Sequence, residues 1–157
     1  MKVGIHANMC DEATDHLPFL LHETFEILSA RLQGDYGGTI EHLWIDLELI
    51  ESQARSDGRP ANSFRFAKRV SGRAPFGLPP SPDWFNVGHY SVRPDFHRIA
   101  SLTGKDAVSY ALALIYDSTT ILLEKSKKLG GFDADRFRVR FLEVCLSLGC
   151  EILEPKR

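Results

Sequence analysis

The amino-acid sequence predicts a single α+β domain, built as a mainly antiparallel sheet of three to five strands with helices packed on one side. Three observations predict it. Residues 42–49 alternate apolar and polar side chains, residues 14–33 and 133–148 carry apolar stripes at helical spacing, and the strand-like segments follow one another through short turns. A chain of 157 residues without an internal repeat, a low-complexity tract or a linker suits one domain spanning residues 1–157.

Lys2 to Met9 is short and partly apolar, compatible with a strand. From Thr14 to Gln33, Leu17, Leu21, Thr24/Phe25, Leu28 and Leu32 fall on one helical stripe; Pro18 sits in the first turn, where proline is tolerated, and Gly34 lies just past the end. After Gly37-Gly38, Leu43, Ile45, Leu47 and Leu49 alternate with His42, Trp44, Asp46 and Glu48, which predicts a strand with one apolar and one acidic face. Ser56 to Pro60 is turn-like, and Ser63 to Val70 alternates again, with Phe64, Phe66 and Val70 opposed to Arg65 and Arg69. If these two strands are neighbours, acidic and basic side chains face each other across the ladder. Residues 72–83 hold four of the eight prolines, a stiffened loop. Trp84 to Val92 reads as a third strand, ended by Arg93-Pro94.

Asp95 to Leu102 suits a short helical turn, and Thr103-Gly-Lys-Asp106 has the form of a capping box. The positions Val108, Ala111, Leu112, Ile115, Thr119 and Leu122 predict one helix over Ala107 to Leu129, stopped by Gly130-Gly131. A hairpin of Tyr110–Tyr116 with Thr119–Glu124, turning at Asp117-Ser118, is the competing arrangement. A last helix over Asp133 to Leu148 buries Phe137, Phe141, Val144, Cys145 and Leu148, and Cys150 to Leu153 suits an edge strand.

Apolar residues make up 43% of the chain and charged residues 25%, values of an ordinary globular protein. Three cysteines in no Cys-x-x-Cys pair suit a reducing compartment, and no signal peptide or membrane span is apparent, so a cytoplasmic protein is expected. Residues 1–60 hold four basic and eleven acidic side chains, and residues 61–157 fifteen and ten, so the net charge of −2 hides halves of opposite sign.

No nucleotide-binding glycine loop, phosphate loop, zinc-protease or hydrolase signature is present, and no cofactor is expected. His6, Cys10 and His16 do not match a metal-site spacing. Phe64-Arg65-Phe66 with Lys68, Arg69 and Arg73 is a thin basic patch for a chain of net acidity, which argues against nucleic acid as a ligand. His22-Glu-Thr24-Phe and His89-Tyr-Ser91-Val each place a hydroxyl two residues after a histidine. This doublet resembles the motifs of two-histidine phosphoesterases, which implies acid–base chemistry on a phosphodiester or cyclic phosphate. That chemistry needs each His and its hydroxyl on one side. His89 and Ser91 comply on a strand, whereas i and i+2 on a helix lie about 200° apart, so His22 and Thr24 do not.

Trp44, Asp46 and Glu48, with Glu23 and Glu26 on the first helix, set an aromatic anchor beside carboxylates, a pattern suited to a basic protein partner if the acidic face is exposed. Arg73, Phe76 and Leu78 in the stiff loop are a second candidate set. In size, mild acidity and lack of a catalytic motif the chain resembles bacterial immunity proteins, small inhibitors of polymorphic toxins. The resemblance implies a non-catalytic function, tight stoichiometric binding to a cognate toxin, and the acidic face implies that the toxin's surface is basic.

Overall fold

The computed structural model describes residues 1–52, 62–69, 85–150 and 152. Four strands form one sheet: β1 (Lys2–Cys10), β2 (His42–Leu49), β3 (Phe64–Arg69) and β4 (Phe85–Val92). Five helices accompany them among the described elements: α1 (Leu17–Leu32), α2 (Phe96–Ser101), α3 (Gly104–Ser118), α4 (Thr120–Lys125) and α5 (Ala134–Ser147). A single 3₁₀ turn, Glu12–Thr14, precedes α1.

The α+β class holds, but the sheet is mixed and mostly parallel, not mainly antiparallel. Its order is β1-β2-β4-β3, with β1 parallel to β2, β2 parallel to β4, and only β3 antiparallel to β4. The cause lies in the connections. The 16-residue α1 separates β1 from β2 and returns the chain to the same end of the sheet, which makes the two strands parallel. β4 inserts between β2 and β3, so the acidic and basic strands are not neighbours as their sequence order suggests.

Side chains alternate across this sheet and give it two distinct faces. One carries Val3, Ile5, Leu43, Ile45, Leu47, Leu49, Tyr90 and Val92, all in one buried cluster with the apolar stripes of α1, α3 and α5. Of the stripe predicted for α1, Leu17, Leu21, Phe25, Leu28 and Leu32 are buried and Thr24 is partly exposed. The other face carries His6, Trp44, Asp46, Glu48, Arg65, His89, Ser91 and Arg93. Gly88 keeps the core face of β4 open for a neighbour, since a Cβ there would stand 2.9 Å from the Phe64 ring.

Residues 107–125 are helical on either side of Thr119 and no hairpin forms there; the single helix expected over Ala107 to Leu129 is divided at Thr119 into α3 and α4 and gives way to turns after Lys125. Three successive hydroxyls turn back on the preceding turn: Ser118 donates to the Ile115 carbonyl at 2.6 Å, Thr119 to Tyr116 at 2.5 Å and Thr120 to Asp117 at 2.8 Å. Such bonds compete with the helical ladder and bend it. The capping box at Thr103 does not form: its side chain accepts no bond, and Gly104 begins the helix at a φ of +53°. Asp95 and Asp133 cap instead, accepting from the Arg98 and Arg136 amides at 3.1 and 3.0 Å. The strand expected over Cys150 to Leu153 falls largely outside the described residues. Among the described residues, no helix is long and apolar enough to cross a membrane.

Candidate functional site

The polar face of the sheet holds a chain of hydrogen bonds that spans three strands. Trp44, His89 and Arg65 occupy one row across β2, β4 and β3. The Asp46 carboxylate accepts from Trp44 Nε1 at 2.9 Å through Oδ1, and Oδ2 lies 2.8 Å from His89 Nε2. His89 Nδ1 lies 3.0 Å from an Arg65 guanidinium nitrogen. A guanidinium only donates, so Nδ1 accepts and the imidazole proton resides on Nε2, donated to Asp46. Both ring nitrogens are thereby engaged. Alongside, Arg93 Nε donates to Glu48 Oε2 at 2.6 Å. These groups are covered, with His89 2%, Asp46 7% and Glu48 9% exposed. Buried charges at such positions require partners, and each carboxylate has a cationic or hydrogen-bonding one.

Trp44 is half-buried and stacks on His6 with ring centroids 4.0 Å apart and planes 15° from parallel. Gly4 permits this, because a Cβ there would stand 2.9 Å from the indole and 3.2 Å from His6 Nε2. Burial lowers the His6 pKa from the ordinary imidazole value; Asp46 opposes the effect and His22 adds to it. Burial lowers the His42 pKa as well, reinforced by Lys2 and the N-terminal ammonium.

Beyond His6 and Trp44, β1 is the last of the described strands, and a cleft of about 800 Å³ opens between it and the side of α1. Strand residues 2–7 form one wall, and Pro18, Phe19, His22, Phe25, Glu26, Ser29 and Gln33 of the helix form the other. Opposite its buried stripe, α1 presents Phe19, His22, Glu23 and Glu26, spaced i, i+3, i+4 and i+7 and therefore on one helical face. Phe19 is 92% exposed. His22 Nε2 lies 3.4 Å from Glu26 Oε1, with both side chains in solvent.

The predicted partner-binding residues therefore divide. Asp46 and Glu48 do not offer an open acidic face, since His89, Trp44 and Arg93 engage them and they are buried. Trp44 reaches the cleft wall with one edge of its ring while its nitrogen is committed to Asp46. Glu23 and Glu26 are exposed on α1. Arg73, Phe76 and Leu78 lie outside the described residues. The histidine doublet is not assembled: His22 and Thr24 lie in α1, and His89 is bonded at both nitrogens within the sheet. Phe19 escaped the sequence reading, although an aromatic opposite the 17/21/25/28/32 stripe is the signal that marks it. Among the described residues, no group of three or more His, Cys, Asp or Glu side chains comes together to hold a metal ion.

Comparison with family models, curated proteins and solved structures returned no match.

Proposed function

We propose that the chain is a non-catalytic protein-binding domain, and that it acts as a cytosolic immunity protein that neutralises a cognate bacterial toxin of basic surface by stoichiometric binding. The observation that carries the binding reading is the exposed face of α1. A phenylalanine 92% open to solvent stands one turn from Glu23 and two turns from Glu26, along the rim of a cleft. An aromatic anchor with carboxylates along the same helical face suits a basic protein surface, supplying apolar burial and charge steering. The polar sheet face supports a non-catalytic role. His89, which a phosphoesterase would use as acid or base, has Arg65 on one nitrogen and Asp46 on the other.

The test is recovery of tagged chain from its native cells, followed by mass spectrometry. A single basic protein in equimolar amount is expected with wild type, reduced at least tenfold by Phe19→Ala and by the charge reversal Glu23→Lys/Glu26→Lys. Turnover of bis-p-nitrophenyl phosphate by purified chain, lost in His89→Ala, would overturn the proposal in favour of the phosphoesterase.

A further inference from the structure

We infer that the open end of β1 receives an extended, lysine- or arginine-bearing segment of the partner protein, which adds a fifth strand beside Ile5 and Ala7. The inference rests on the protein-binding reading above and names how that binding occurs.

Among the described residues β1 is an edge strand, and its outer side is only half closed. The Lys2 amide bonds the Glu41 carbonyl at 2.9 Å, so the backbone groups of Lys2, Gly4 and His6 face β2 and those of Val3, Ile5 and Ala7 face outward. α1 covers the first part of this outer row. The Gly34 amide bonds the Met1 carbonyl at 3.2 Å, Gln33 Nε2 the Val3 carbonyl at 3.1 Å, and Ser29 Oγ accepts from the Ile5 amide at 3.0 Å. Past that point, among the described residues, no group bonds the Ile5 carbonyl or the Ala7 amide. An uncapped edge of this kind is a template for strand addition, where main-chain bonds provide affinity and flanking side chains provide selection.

The surroundings select the occupant. α1 runs back along β1, so its earlier residues Glu26, His22 and Phe19 flank the uncapped part, and the cleft between them is open to solvent. Phe19 offers apolar surface to a side chain of an added strand. Residues 3–30, which comprise β1 from Val3, the following turn and most of α1, contain Asp11, Glu12, Asp15, Glu23 and Glu26 and no lysine or arginine. Lys2, the one ammonium side chain on the cleft wall among the described residues, stands at the end that α1 already closes. A basic segment is thus matched at the open end. A second copy of this chain would present the same carboxylates to themselves, which disfavours an edge-to-edge dimer.

The experiment pans a phage-displayed library of random dodecapeptides on the full chain, and measures binding of a labelled synthetic copy of the most enriched peptide by fluorescence anisotropy. Enrichment of peptides with net positive charge is expected. Ala7→Pro, which removes an amide that β2 does not use, is expected to weaken binding at least tenfold, as is Glu26→Lys. On peptide binding to wild type, exchange of the Ala7 amide is expected to slow at least tenfold, a readout that does not depend on the proline variant folding. Failure to enrich basic peptides, an unchanged Ala7 amide, or a concentration-dependent dimer abolished by Ala7→Pro would overturn the inference. Equimolar partner recovery that Ala7→Pro leaves intact would refute strand addition alone, whereas absence of any partner would refute the binding reading with it.

Discussion

Replacing Asp46 with alanine removes the acceptor of two donors at once. Trp44 Nε1 at 2.9 Å and His89 Nε2 at 2.8 Å both lose their partner, and Arg65 is left against an imidazole no longer anchored on its far side. A buried hydrogen-bonded donor stranded in this way costs about 1–3 kcal/mol, with bonds to a charged acceptor at the upper end. Trp44 is only half-buried and is discounted accordingly, so the expected loss is about 3 kcal/mol, carried mainly by His89 at 2% exposure. For a chain of this size each kcal/mol shifts Tm by roughly 2–4 °C, which gives a fall of about 6–12 °C. The assay is urea and thermal unfolding of Asp46→Ala, His89→Ala and the double variant. Because the two residues share one bond, their effects should be non-additive by about 1 kcal/mol or more. Strictly additive effects, or an Asp46→Ala unfolding free energy within about 0.5 kcal/mol of wild type, would refute the buried network.

Three further outcomes follow from other parts of the molecule. His6 and His42 have folded-state pKa values below the usual 6.5. The unfolded chain therefore takes up protons first on acidification, so their contribution is intact above about pH 6.5 and declines as pH falls toward the lower folded values, measurable as a falling urea midpoint. Gly38→Ala should cost about 3 kcal/mol or more in the same assay, since φ is +75° and a Cβ would stand 2.4 Å from the Leu129 carbonyl oxygen and 2.7 Å from the Phe132 nitrogen, both backbone atoms that cannot swing away. Burial pushes the Cys145 thiol up to about 12, so iodoacetamide at pH 8 should leave Cys145 unmodified in native protein and alkylate it once urea unfolds the chain, read by peptide mass spectrometry.

What the sequence discloses and what it withholds follow from the range of the interactions concerned. The period-two pattern of Leu43, Ile45, Leu47 and Leu49 and the α1 stripe are local, and both appear in the structure where the side-chain spacing puts them. Strand order is not local. Asp46 and Arg65 are 19 residues apart in sequence and suggest a direct pair, yet β4 arrives between β2 and β3 and His89 becomes the link between them. The parallel arrangement was concealed in the same way, because a helix that fills the gap between two strands looks in sequence like an inserted element until it is seen to carry the chain back. The acidic alternation of β2 signalled a polar face correctly, but alternation cannot tell a solvated face from one whose carboxylates are paired, and here Glu48 has Arg93 and Asp46 has His89. Glu23, Glu26 and Phe19 differ because their exposure depends only on lying opposite the α1 core stripe.

The most direct test of binding through the α1–β1 edge is hydrogen exchange on the recovered complex, compared residue by residue with the chain alone. Added protection concentrated at Ile5–Ala7 and along Phe19–Glu26, with β3 unchanged, is the predicted footprint. Protection that instead falls on β3 and spares both α1 and the β1 edge would contradict it.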